Sequence, residues 1–205
     1  MSDTPDRQTF ETMYARKAPW EIGRPQPAFL EIADRVTGDI LDSGCGTGEN
    51  ALFFAARGHS VLGIDFLEGP IQQARQKARE RGISRAEFVP MDALTLTNLD
   101  RPFDSVIDSG LFHVFNDDNR ARYVAGLAHV TRPGGRLFLL CFSDDEPGTH
   151  GPRRVSQREI RKAFAEGWDV EEVAASRLEV RPDLEDISFS EGGAKAWFSV
   201  IRRLG

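Results

Sequence analysis

The sequence predicts a single-domain α/β protein: a doubly wound, mostly parallel sheet with helices on both faces. Three observations carry that expectation. From Ile40 onward, short apolar runs alternate with stretches of helical periodicity, the pattern of β-α-β units. A glycine cluster, Gly44, Gly46 and Gly48, stands directly between the first such run and the first helical stretch. Four aspartates, Asp42, Asp65, Asp92 and Asp108, fall at or just past the ends of strand candidates, where open α/β sheets bind ligands.

The elements follow in order. Arg7 to Lys17 reads as a short helix, broken by the three prolines and one glycine of Ala18 to Pro27. Phe29, Ile32, Ala33 and Val36 recur at helical spacing, and Gly38 closes that helix. Asp39 to Asp42 holds the first apolar run; Ala51 to Ala56 is a helix apolar all round, stopped by Gly58. Ser60 to Ile64 is a strand ending at Asp65, and Ile71, Ala74 and Ala78 mark a helix face ended by Gly82. Glu87 to Pro90 and Phe103 to Ile107 are strands. Asp117 or Asp118 caps a helix whose apolar face carries Tyr123, Val124, Leu127 and Ala128. After the turn Pro133-Gly134-Gly135, Leu137 to Phe142 is apolar enough to sit mid-sheet. Ser156 and Glu159 form a capping box, and Val170 to Val180 and Ala196 to Ile201 are late strands.

Composition narrows the function. The chain has 205 residues, 40% hydrophobic and 28% charged, enough to bury roughly 70% of its unfolded surface without staples. Cys45 and Cys141 supply neither a disulfide framework nor a zinc site, so no metal is expected. No apolar run reaches membrane-span length, and MSDTPDRQTF lacks a signal core, so a cytoplasmic protein is expected. Lys and Arg total 26 against 32 Asp and Glu, a net charge of −6, which disfavours a broadly basic nucleic-acid surface. The expected partner is a small molecule, with no nucleic acid and no membrane, acting on a monomer or homodimer.

The segment Ile40 to Asn50 is the most informative. Alternate glycines turn the backbone sharply and bring a ligand against main-chain N–H groups at a helix N-terminus. Asp65 ends the next strand about 20 residues on, the place of a carboxylate that grips ribose hydroxyls. The loop reads G-x-G-x-G with an acid at Asp42, unlike the nicotinamide G-x-G-x-x-G, and no Gly-Lys-Ser/Thr follows as in a P-loop. A pyrophosphate is repelled by Asp42, whereas an amino-acid ammonium is attracted.

Leu41 to Gly48 resembles the first motif of the class I S-adenosylmethionine-dependent methyltransferases. Gly63-Ile64-Asp65 resembles their second motif, Met91-Asp92-Ala93 the third and Phe103 to Asp108 the fourth, while Arg132-Pro133-Gly134-Gly135 resembles the turn before their fifth strand. The resemblance implies a Rossmann-like sheet of seven strands with the last antiparallel, and S-adenosylmethionine as cofactor with S-adenosylhomocysteine as product. It further implies that the glycine loop with Asp42 holds the methionine part, Asp65 the ribose, and Asp92 with Ala93 the adenine, with Phe66 also in the cofactor site. Asp108, Ser109 and Trp20 complete the implied cofactor set. Pro19 to Pro27 resembles the entry segment of thiopurine and thiol methyltransferase-like proteins, and Asp108 to His113 a loop of mycobacterial heterocyclic-toxin methyltransferases. The latter likeness implies a hydroxyl or nitrogen acceptor on a heterocyclic or phenolic ring. A thiol, halide or tellurite acceptor is the alternative, as is a cofactor-binding protein acting on a macromolecule. Asp108-Ser109-Gly110-Leu111 lacks the Asn/Asp-Pro-Pro-Tyr/Phe pattern of base-amine chemistry.

A sulfonium methyl is already activated, so the protein chiefly aligns a nucleophile with it. His113, just past the fourth strand, is the candidate catalytic base or substrate hydrogen-bonder, against the plainer reading that it closes its loop on a backbone carbonyl. Tyr14, Phe112, Phe115 and Trp20 are candidates for a flat apolar acceptor pocket, with ordinary core packing the rival, favoured for Phe115. Residues 1–27 are expected to form a lid, with Trp20 over the cofactor.

Overall fold

The computed structural model describes residues 4–16, 18–184 and 189–205. Among them seven strands form one sheet: β1 (Ile40–Ser43), β2 (Val61–Asp65), β3 (Ala86–Pro90), β4 (Phe103–Ser109), β5 (Thr131–Phe142), β6 (Trp168–Leu178) and β7 (Ala194–Arg203). Their order is β3-β2-β1-β4-β5-β7-β6. β1 through β5 pair in parallel, and β7 runs antiparallel between β5 and β6. This is the Rossmann-like sheet expected, with the last strand reversed. The chain winds from β1 out to β3 and then crosses back to β4, so the topological switch lies between β1 and β4.

The helices are α1 (Arg7–Ala15), α2 (Pro27–Glu31), α3 (Glu49–Ala56), α4 (Glu68–Glu80), α5 (Asp117–Val130) and α6 (Gln157–Ala163). Strand residues alternate between two apolar layers because successive Cβ atoms point to opposite faces. Ile40, Phe138 and Leu140 join Phe29, Leu52, Phe54 and Ile71 from α2, α3 and α4. Leu41, Leu137 and Leu139 join Tyr123, Leu127, Ile160 and Phe164 from α5, α6 and its end. Among the described residues no helix is long and apolar enough to cross a membrane.

Local signals mostly hold. Gly58 (φ 100°) and Gly82 (φ 64°) follow α3 and α4 in the left-handed region. The Ser156–Glu159 capping box is formed in both directions. α1 starts at an Asp6 cap and ends at Ala15; Lys17, to which the sequence extends that helix, lies outside the described residues.

Three expectations are corrected. The helix expected through Val36 is split: α2 ends at Glu31, a 3₁₀ turn covers Ala33–Arg35, and Val36 is extended. The chain must turn there into β1, where Gly38 (φ 65°) passes so close to Asp104 that a Cβ would lie 2.1 Å from its carboxylate. Asn116, not Asp117 or Asp118, caps α5, accepting from Asn119 N–H at 2.9 Å; the two aspartates sit in the first turn, where negative charge suits the helix dipole. Pro133-Gly134-Gly135 is not a turn ahead of β5 but an irregularity within it, between the pairs Phe103↔Thr131 and Ser105↔Arg136.

Candidate active site

At its carboxyl end β1 turns through Gly44, Cys45, Gly46, Thr47 and Gly48 into α3. Cys45 N–H donates to Ile64 O at 2.8 Å and Gly48 N–H to Cys45 O at 2.9 Å. The three glycines have φ of 74°, 53° and 85°, which disfavour any side chain. Their surroundings differ. A Cβ on Gly46 would lie 2.9 Å from Tyr14 Oη, on the ligand side, whereas a Cβ on Gly48 would strike Ala74 and Phe88 at 2.9 Å. Gly48 therefore lets α3 pack closely on α4 and β3, and Gly44 abuts Leu111.

Two carboxylates underlie this loop. Asp42 is 1% exposed and neither oxygen has a hydrogen-bond partner. Burial pushes its pKa up to about 8, opposed by the nearby Ala51 N–H, which falls short of hydrogen-bond geometry, and helped by the fields of Asp108 and Asp65. Asp65, ending β2, accepts from Gly46 N–H at 3.2 Å and Leu67 N–H at 3.0 Å. Burial raises its pKa against those bonds. Beyond β3, Asp92 is exposed and accepts from Leu94 N–H at 2.8 Å, opening a 3₁₀ turn that starts at buried Ala93.

α1 and the segment after it lie over the loop. Phe10 meets Phe66 edge-on, centroids 5.4 Å apart, with Arg7 over the Phe66 ring at 5.1 Å. Trp20 Nε1 donates to Tyr14 Oη at 3.2 Å, and burial pushes the Tyr14 phenol upward. Thr47 Oγ1 donates to Glu21 Oε2 and accepts from Lys77 Nζ, both at 2.7 Å. Gln26 exchanges two 2.9 Å hydrogen bonds with the backbone of Glu179, and Arg181 N–H donates to Pro19 O. The cleft left between Trp20, Gly46, Ser109 and Leu178 holds about 60 Å³, room for about two waters where a ligand pocket needs about 300 Å³ or more. The segment Trp20 to Arg24 forms one wall of that cleft.

At the end of β4, Asp108 is fully enclosed and accepts from Leu111 N–H at 2.8 Å, Phe112 N–H at 3.1 Å and Tyr123 Oη at 3.0 Å. Burial still pushes it up to about 7. Its oxygens thus fasten its own loop to α5. His113 is 5% exposed, and Phe142 N–H donates to its Nδ1 at 3.0 Å. The neutral ring consequently carries its proton on Nε2. Burial, with Arg120 and Arg154 nearby, holds its pKa down to about 3. A base needs a free lone pair, and with Nδ1 occupied and Nε2 protonated this ring offers none, so the geometry does not fit the expected base role. The plainer alternative is corrected too, since the backbone partner is an N–H and not a carbonyl.

Phe112 and Phe115 do not line a pocket. Phe112 stacks on Phe164 at 5.8 Å beneath the Arg120 guanidinium, and Phe115 packs on Tyr123 at 5.0 Å. The 3₁₀ turn Phe112–Val114 directs both into the α5–α6 layer. Cys45 and Cys141 thiols are both pushed up by burial, so neither is a thiolate.

A methyltransferase domain model matches residues 40–135, from β1 to the irregularity in β5. The 2-heptyl-1-hydroxyquinolin-4(1H)-one methyltransferase of Mycobacteroides abscessus is 35% identical over 185 residues, 88% of this chain and 80% of its own. The chain is a class I S-adenosylmethionine-dependent methyltransferase. The methyltransferase is also 34% identical to a solved structure concerned with converting a disulfide bond into a thioacetal group during echinomycin biosynthesis. That match covers 97% of this chain and 93% of the other, with a TM-score of 0.85. The 1,6-didemethyltoxoflavin-N1-methyltransferase of Burkholderia thailandensis, solved with 1,6-didemethyltoxoflavin and S-adenosylhomocysteine, shares the fold at 22% identity. Its match covers 97% and 84% of the two chains with a TM-score of 0.68.

The methyltransferase's own residues fit this cofactor. S-adenosylmethionine brings an ammonium and a sulfonium, and Asp42 and Asp65 are buried carboxylates with no ion pair among the described residues. Sequence reasoning missed Glu21, Thr47 and Lys77, which tie the entry segment to the loop, and the Gln26–Glu179 clasp. Glu21 was visible as the lone acid in an otherwise apolar and basic entry segment, Trp20 to Pro27. Nothing local marked Glu179.

Proposed function

We propose that this methyltransferase moves the methyl group of S-adenosylmethionine to a hydroxyl or ring nitrogen of a small heterocyclic or phenolic acceptor. One observation carries the reading: Ser109 and Leu178 line the cleft beyond the glycine loop, and beside them lies His113, whose uncharged Nε2–H would sit 3.6 Å from a Cβ on Gly110. Such a surface suits a flat ring bearing one oxygen. The Mycobacteroides relative named for a hydroxyquinolone supports it. The cofactor supplies an electrophilic methyl, and the protein binds and aligns.

In this reading Asp65, oriented by the Gly46 N–H, accepts from the ribose hydroxyls, and Asp42 balances the positive methionine part. Phe66, Asp92 and Ala93 bound the adenine, and Ser109 and Leu178 border the transfer path. α1, with Tyr14 and Trp20, is a lid that closes over the bound pair and excludes water. A sulfur acceptor is the second reading, favoured by the structure from echinomycin biosynthesis, whose subject is chemistry at a disulfide. A methyl-transfer screen against hydroxyquinolones, phenols, thiols and halides, read by mass spectrometry, tests both. Methylated hydroxyl products are expected; transfer to thiols alone would replace the first reading with the second.

A further inference from the structure

A hydroxyl acceptor must lose a proton at some point, and the described residues at the acceptor end hold no group able to take it. The Nδ1 lone pair of His113 receives Phe142 N–H, and Nε2 already carries hydrogen. Asp108 is enclosed by three donors. Asp144, past the end of β5, is exposed and turned to Trp197 Nε1 at 3.1 Å. Tyr14 and Cys45 remain protonated because burial pushes both upward.

What the site does hold suits an anion. Among the described residues His113 Nε2 has no hydrogen-bond partner, and a Cβ on Gly110 would lie 3.6 Å both from it and from Leu178, which lines the cleft, so a ligand oxygen entering past Leu178 would meet it. The charged groups whose fields reach the ring are Arg120 of α5 and Arg154 of the loop after β5, both cations. Arg120 is itself buried, with Nε and Nη2 unpaired. Two carboxylates act on it, Glu159 at 3.5 Å and Asp117, but both also pair with Arg153, and Glu159 serves the Ser156 cap as well. The positive field is therefore only partly cancelled.

We propose that the acceptor is taken as a preformed oxyanion: an acidic ring hydroxyl or N-hydroxyl that has lost its proton to water before binding and is held by His113 Nε2–H. This rests on the acceptor reading above and narrows it. During transfer an oxygen lone pair forms the new O–CH₃ bond as the S–CH₃ bond breaks, and that bonding pair stays on sulfur. An anion and a sulfonium thus become a neutral ether and a neutral thioether, and no proton moves. Loss of opposite charges in a closed, water-poor site favours the product side. Ordinary alcohols and weakly acidic phenols are excluded by the absence of a base, not by size.

The test uses the full-length protein with nitrophenols and N-hydroxy heteroaromatics of graded acidity, measuring kcat/KM from about pH 6 to about pH 9. The rising limb should sit at each acceptor's own pKa, so that at neutral pH the rate falls roughly tenfold per unit of acceptor pKa above 7. A second readout needs no turnover: 4-nitrophenol added to the complex with S-adenosylhomocysteine should absorb as phenolate at a pH where the free compound is neutral. His113→Asn, which keeps a donor, should retain that spectrum, and His113→Phe should lose it. A limb fixed at one pH for every acceptor, or 4-nitrophenol bound as the neutral phenol, would overturn the inference alone. Transfer to thiols with none to hydroxyls would overturn the acceptor reading and the inference together.

Discussion

Asp42 offers a measurable conflict between folding and cofactor binding. Its carboxyl is 1% exposed, unpartnered and pushed up to about 8 from 3.8. Because the folded state holds the proton more tightly than the unfolded chain, stability is greatest below the unfolded pKa. It is lost as pH rises toward the folded one. At pH 7 the interval above 3.8 is about three units, a penalty of roughly 4 kcal/mol at about 1.4 kcal/mol per unit. Asp42→Asn is neutral in both states and removes that penalty, while its amide meets the same lack of partners. The cofactor-free variant should therefore be more stable than wild type at pH 7, by up to about 4 kcal/mol. For a chain of this size that is on the order of 10 °C in Tm.

The assay is a pair of thermal melts without cofactor, from about pH 5 to about pH 8. The gap in stability should widen by about 1.4 kcal/mol per pH unit across that range and vanish toward the unfolded pKa. The same variant should bind S-adenosylmethionine at least tenfold more weakly by calorimetry, since a cationic ligand loses its buried counter-charge. Melting curves that differ by a constant amount at every pH would refute the reasoning, because a proton-linked penalty cannot be pH-independent.

Asp65→Ala should weaken both S-adenosylmethionine and S-adenosylhomocysteine by roughly 10- to 100-fold in calorimetry, since charge-assisted hydrogen bonds are worth about 1.5–3 kcal/mol each; equal affinities would remove Asp65 as the ribose ligand. Deleting residues through Pro19 should leave the circular dichroism of the sheet intact, because the apolar layers draw on α2 to α6, but should lower kcat. Full turnover in that truncation would end the lid proposal. Gly48→Ala should destabilise by about 2–4 kcal/mol in denaturant melts, as it combines φ of 85° with contacts of 2.9 Å to Ala74 and Phe88. A stability within the error of wild type would mean that α3 is free to shift.

The alternation of apolar runs and helical faces was legible because it is local: each strand needs only its own residues to declare a buried run. The glycine loop and Asp65 were legible for a related reason, since a tight turn from strand to helix restricts residue type wherever it occurs. Side-chain direction was not. Phe112 and Phe115 share their loop with His113, yet they turn into the α5–α6 layer while His113 meets β5. What fixes the imidazole is the backbone N–H of Phe142, 29 residues away, and no spacing encodes it. The break at Ile32 has the same origin, for α2 would have continued on propensity but must yield to the approach of Gly38 to Asp104. Tyr14 was legible as an aromatic of the N-terminal segment but not as a residue whose hydroxyl reaches Gly46.

The carboxyl ends of the strands are also polarised in a way that neither half explains alone. Asp42 and Asp65 lie on β1 and β2, with their pKa values raised by burial, so that side is poised to receive positive charge. Across the switch point, beside β4 and β5, the oxygens of Asp108 are taken up by Leu111, Phe112 and Tyr123, and burial, then Arg120 and Arg154, hold His113 down, so the charged groups acting on that ring are positive. Among the described residues no salt bridge joins the two sides, so neither set of groups neutralises the other. An inert scaffold gains nothing by keeping such groups apart and buried. A site that joins a cationic methyl donor to an anionic acceptor needs both fields open, and each ligand then supplies the counter-charge that the protein lacks.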